Sequence, residues 1–80
     1  MMGDFMAEDP KVYYSVPGYG EALGIMDAVI DRDADVERPS VNTKRWNVMK
    51  YVIRAPRKNG LADYRKALDY LRQIVEEAEE

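Results

Sequence analysis

Between Lys44 and Lys66 the chain carries eight basic residues and a single acid. Lys50 and Arg54 stand four apart, so a helix sets them on one face, one turn from each other. Lys58 follows in a Pro-Arg-Lys-Asn-Gly connection, and Lys66 stands just beyond it. Ammonium and guanidinium groups converging in this way suit a phosphate: Arg grips it through a planar fork and Lys acts as a point charge. Asn47 lies on the same side of that helix. Asp63, and Tyr70 one turn from Lys66, could support the site or contact a base. A second reading is equally open. The bases could be neutralised internally by Asp63, Asp69 and the acidic stretch upstream.

Other chemistry is narrower. The 80 residues contain no cysteine and no histidine. The common nucleophile–base pairs and zinc sites are therefore not expected. No Gly-x-x-x-x-Gly-Lys-Ser/Thr loop occurs. Carboxylates, amines, guanidiniums and tyrosines remain, and these suit holding and positioning an anion. Asp31, Asp33, Asp35 and Glu37 alternate in a manner that can suggest calcium. The run lacks the central Gly and closing Glu of an EF-hand loop, so a solvated acidic loop is expected and no metal site.

The net charge of −3 conceals a basic middle. Residues 1–43 sum to −6, residues 44–66 to +7 and residues 67–80 to −4. A pI near 4.9 argues against nucleic acid as the partner, although the basic segment alone could touch phosphates. No apolar run approaches the ~20 residues of a membrane span, and the N-terminus has no secretory pattern. A cytoplasmic location is expected.

The elements that must position these groups are helical. Residues 1–20 read as an extended N-terminal arm with a frayed start at 1–11. Val12–Val16 is short, β-branched and aromatic, and must dock somewhere as a strand or extended segment. Tyr13, Tyr14 and Tyr19 cluster near the Pro17-Gly18 turn and could line a pocket. Residues 21–80 read as one helical domain. Leu23, Met26 and Ile30 predict a first helix over about Glu21–Ile30, with Ile25 widening its stripe. A second helix should start near Asn42 or Thr43 as caps, carry Trp46 as a core anchor beside Met49 and Ile53, and end at Pro56. Asn59-Gly60 turns the chain into a third helix. There Leu61, Tyr64, Leu68, Leu71, Val75 and Ala78 repeat at 3-4-3-4-3, the spacing of a buried a/d seam. Arg65–Asp69 and Arg72–Glu76 are expected as exposed i,i+4 pairs. The expected fold is mainly α: a compact three-helix domain with a C-terminal antiparallel hairpin. A chain this short with no staple is also expected to form a homo-oligomer.

The stretch NVMKYVIRAPRKNGLADYRKALDYLRQIVEE resembles a small phage domain family of unknown function that carries a nucleotide kinase-like label. That label comes from similarity to a deoxynucleoside monophosphate kinase of a T-odd coliphage. The resemblance rests on Asn47, Lys50, Tyr51, Arg54, Ala55, Lys58, Asp63, Lys66, Ala67, Tyr70 and Leu71. GEALGIMDAVID is more loosely similar to the family's first helix. Trp46 and Pro56 stand where the family usually has Gly, and Tyr13-Tyr14 stands nearest to its His-Tyr pair. The resemblance implies a phage protein that binds a nucleotide or similar phosphate compound in an infected host cell. Lys50, Arg54, Lys58 and Lys66 would hold phosphate, with Mg and ATP as cofactors if the protein is a kinase. Two other functions stay open. One is a binding-only protein that sequesters a nucleotide signal or inhibits a host protein. The other is a structural helical interaction module.

Overall fold

A computed structural model describes residues 13–79. The expected frayed start at 1–11 and Val12 lie outside the described residues. Two short strands, β1 (Ser15–Val16) and β2 (Gly20–Glu21), precede three helices: α1 (Ala22–Arg32), α2 (Pro39–Arg54) and α3 (Leu61–Ala78). The extended segment docks by pairing with its own continuation. Ser15 faces Glu21 and Val16 faces Gly20 in an antiparallel hairpin. Pro17-Gly18 makes the turn, closed by the Tyr19 amide donating to the Val16 carbonyl at 2.9 Å. Gly18 has φ +84°, the conformation a Pro-Gly turn of this type requires at its third residue. The hairpin leads directly into α1, whose Ala22 amide donates to the Tyr14 carbonyl at 2.7 Å.

Helix α2 begins at Pro39, with Arg38 rather than Asn42 or Thr43 in the cap position. Pro39 occupies its first turn, where the missing N–H costs nothing. Asn42 and Thr43 are therefore inside the helix. The Asn42 side chain is buried, donating to the Asp33 carbonyl at 3.3 Å and accepting from Arg45 at 2.8 Å. Thr43 donates back to the Pro39 carbonyl at 3.0 Å. Pro56 does end the helix, within a single 3-10 turn, Ala55–Arg57. Gly60, at φ +51°, then reverses the chain into α3.

The α2–α3 hairpin is the main contact of the fold, and α1 lies against α2. Met26 is its largest fully buried apolar side chain, accompanied by Tyr14, Ala22, Val41, Ala55 and Ala67. Several expectations about packing are overturned. The α3 face that meets α2 is the stripe Gly60, Asp63, Ala67, Tyr70, Ile74 and Glu77, each buried or half-buried. The a/d seam one residue away is not core: Leu61, Tyr64, Leu68, Leu71 and Val75 are 45–62 % exposed. Small Ala67 lets the helices approach, while Asp63 and Glu77 enter the interface because bases on α2 meet them there. Ile25 is exposed rather than part of the apolar stripe of α1. Trp46 is half-buried and its indole N–H donates to Asp27 at 2.8 Å, so it bridges α1 and α2 from the rim. On the exposed side Arg72 lies 3.9 Å from Asp69, one turn back, rather than against Glu76. No helix among the described residues is long and apolar enough to cross a membrane.

Candidate functional site

The basic segment divides into two ends. At the Pro39 end its charges meet carboxylates. Glu77 accepts from Ser40 at 2.6 Å, Lys44 at 3.1 Å and Arg38 at 3.2 Å. Those donors, Ser40 and Lys44 foremost, hold its carboxyl below the usual range. Asp33 accepts from Arg32 at 2.8 Å and Arg45 at 2.9 Å, which lower its pKa to about 2. Asp33 is thus a structural acid rather than a free member of an acidic loop. Among the described residues no group of acids could hold a metal ion.

At the Gly60 end aromatic rings take the place of carboxylates. Tyr51 sits at the centre. The Lys50 Nζ lies 4.4 Å from its ring centroid, the Arg54 guanidinium carbon 4.7 Å and the Lys66 Nζ 5.3 Å. Tyr70 stacks on the same ring, 6.1 Å between centroids and 14° between planes. Lys50 also lies 5.4 Å from the Trp46 ring. Lys58 rests 4.9 Å from the ring of Tyr13, which meets Tyr14 edge-to-face at 6.3 Å. The β-hairpin has therefore brought its tyrosine pair to the turn of the helical hairpin.

Among the described residues one acid serves this end, and it is fully committed. Asp63 has no exposed surface. Arg54 donates to it through Nε at 3.1 Å and Nη2 at 3.2 Å. The Asn59 amide and side chain each donate to it at 3.3 Å. Burial alone would push the Asp63 carboxyl up, but these donors outweigh it and hold the carboxyl below its ordinary value. The same pair raises Arg54, against some desolvation, and the neighbouring Tyr14 hydroxyl raises it further. Among the described residues Lys50, Lys58 and Lys66 have no carboxylate within ion-pair distance.

A carboxylate cancels the charge it binds, whereas an aromatic face holds a cation through its quadrupole and leaves the charge in place. Such contacts contribute about 0.5–2 kcal/mol depending on desolvation. Lys50, Lys58 and Lys66 are therefore held in place by rings without being neutralised by a carboxylate among the described residues.

Residues 39–72 match the model of DUF3310, a protein family of unknown function. The matched segment runs from the start of α2 to Arg72 and contains Lys50, Tyr51, Arg54, Lys58, Asp63, Lys66 and Tyr70. Tyr13 and Tyr14 lie outside it. No curated protein and no solved structure matches the chain.

The residues singled out from the sequence fall in three places. Lys50, Arg54 and Lys66 converge on Tyr51, with Lys58 nearby on Tyr13. Asp63 and Tyr70 lie beneath them as supports. Asn47 is turned elsewhere: its amide donates to the Thr43 carbonyl at 3.0 Å, and it lines a neighbouring groove of about 380 Å³ with Trp46 and Ile30. Tyr51, the hub, is a residue to which the sequence reading assigns no role at the site. The signal was its position, three residues before Arg54 and next to Lys50, which places the ring along the cationic face of α2.

Proposed function

We propose that this protein binds a nucleotide or similar phosphate compound at the Gly60 end of the α2–α3 hairpin. The observation that carries the reading is the set of lysines held by tyrosine rings rather than by acids. Lys50, Lys58 and Lys66 supply charge to the phosphate oxygens. Arg54, locked to Asp63, contributes mainly by fixing Tyr51 and the turn. A base would find aromatic surface at Tyr13 or Trp46, on either side of the cationic face. The resemblance to the nucleotide kinase-like phage domain falls on the same lysines, and with it we place the protein in the cytoplasm of an infected host cell. The proposal is for binding. Transfer of a phosphoryl group is the further step that the kinase-like label suggests, and it would require Mg and ATP.

Calorimetric titration with a deoxynucleoside monophosphate, ATP and inorganic pyrophosphate tests the reading. At least one should bind with a dissociation constant below the millimolar range, and Lys50→Ala or Lys66→Ala should weaken it roughly tenfold, the worth of one charge-assisted contact. Absence of binding by all three at millimolar concentration would overturn it. Incubation with labelled ATP and the monophosphate then separates an enzyme from a protein that only sequesters its ligand.

A further inference from the structure

We infer that the groove between the end of α1 and the start of α2 holds the base of the nucleotide, and that this base is guanine, its donor edge met by Asp31, Glu37 and Asn47. The inference deepens the nucleotide reading above and rests on it. The groove has a volume of about 380 Å³. Small-molecule sites fall between about 300 and 1,000 Å³. Ile30 and Trp46 supply apolar surface. The Trp46 indole is half-buried and its N–H is fastened to Asp27 at 2.8 Å, so the ring is held in one orientation. The same ring lies 5.4 Å from the Lys50 Nζ. Thr43, Asn47, Lys50 and Arg54 follow one another at 4-3-4 spacing, so the groove and the cationic face share one side of α2. Lys50 stands about 6 Å beyond Trp46 along the helix axis. The sugar of a nucleotide spans such a distance between base and phosphate.

The polar lining selects the base. Its side-chain donors are already directed at partners within the fold. Asn42 donates to the Asp33 carbonyl at 3.3 Å, Thr43 to the Pro39 carbonyl at 3.0 Å, Trp46 to Asp27, and Asn47 to the Thr43 carbonyl at 3.0 Å. Acceptors are what the lining can offer a ligand. With its nitrogen so placed, Asn47 offers its side-chain oxygen. Glu37 accepts the Arg38 backbone amide on one oxygen, at 3.1 Å, and has a second. Neither Asp31 nor Glu37 is in an ion pair among the described residues. Guanine presents two adjacent donors on one edge, its ring N1–H and its N2 amine, which a carboxylate accepts as a pair. Adenine and cytosine present one amine beside ring-nitrogen acceptors, and thymine one N–H between two carbonyls. Those acceptors would face carboxylate oxygens with no proton between them, a costly loss of hydrogen bonds to water. A cationic ligand would also suit the acids, but Lys50 beside the indole repels it. A guanine nucleotide carries donors at one end and negative charge at the other, the order in which α2 meets it.

Trp46 is the single tryptophan of the chain, so quenching of its emission reports a base stacked in the groove. Calorimetric titration of the full chain with dGMP, dAMP, dCMP, dTMP and inorganic pyrophosphate reads the preference. dGMP should bind about tenfold or more tightly than the other three and should quench Trp46. Deoxyinosine monophosphate, which differs from dGMP in lacking the N2 amine, should bind several-fold more weakly than dGMP. Joint replacement of Asp31→Asn and Glu37→Gln should bring dGMP to the affinity of dAMP without weakening pyrophosphate. Lys50→Ala should weaken every one of these ligands and keep the order of the bases. Nucleotide binding without a preference for guanine, dGMP binding that leaves the emission unchanged, equal affinity for the deoxyinosine compound, or a preference that survives the double replacement would each overturn the inference. The phosphate reading would then still stand on the pyrophosphate titration. Absence of binding by pyrophosphate and every nucleotide would overturn both. Should the double variant fail to fold, dGMP against deoxyinosine monophosphate on the wild-type chain decides alone.

Discussion

At the Pro39 end of the α2–α3 hairpin, Arg38, Lys44 and Arg45 each reach a carboxylate. At the Gly60 end, Lys50, Lys58 and Lys66 each reach a tyrosine ring. The sequence charge of the two ends is similar, yet one is neutralised and the other is only positioned. Positive charge along a helix therefore says little about function until its partners are known. Where acids answer it, it fastens elements together. Where aromatic faces answer it, it remains available to a ligand.

The largest way to break this comparison is at Asp63, the acid that serves the Gly60 end among the described residues. Asp63→Ala should lower stability by about 3–5 kcal/mol in urea titration, because Arg54 is left partly buried without its partner. Replacing both, Arg54→Met with Asp63→Leu, should recover most of that loss, since a buried ion pair is often matched by apolar side chains of similar volume. A smaller change comes with acid. The depressed pKa of Asp33, about 2 against about 3.9 in an unfolded chain, means that its stabilisation is present above about pH 4 and is lost as pH falls towards 2. Asp63 is shifted in the same direction. Thermal melts of Asp33→Asn between pH 2 and 5 should show a flatter dependence than wild type. The smallest effect on stability is the most informative. Lys66→Ala should change it by no more than about 0.5 kcal/mol, as for an ordinary surface position, while weakening phosphate binding. A large loss of stability there would make the two ends alike.

Much of this arrangement was legible in the sequence. Pro56 and Asn59-Gly60 punctuate α2 and α3, and helical periodicity places both. The start of α2 was not, because Asn42 and Thr43 are good caps and Pro39 is an equally good first residue, so local chemistry offered two answers. The packed face of α3 was missed for a different reason. Two stripes run side by side, offset by one residue. The one with larger apolar side chains scores higher on periodicity, but the one that packs contains Ala67, small enough for close approach, and two acids that only the bases of α2 make acceptable. Partners from another helix are invisible to a pattern within one helix. The same holds for Tyr51, whose ring becomes a hub only once Lys66 and Tyr70 arrive from α3.

The ion pair between Arg54 and Asp63 joins residues nine apart in the chain. Closing so short a loop costs little entropy, so this corner can form early in folding, before α1 and the β-hairpin are in place. Changes at Ala67 should then slow refolding, and changes at Met26 should mainly hasten unfolding. The element that arranges the lysines would thus also be the one from which the rest of the molecule grows.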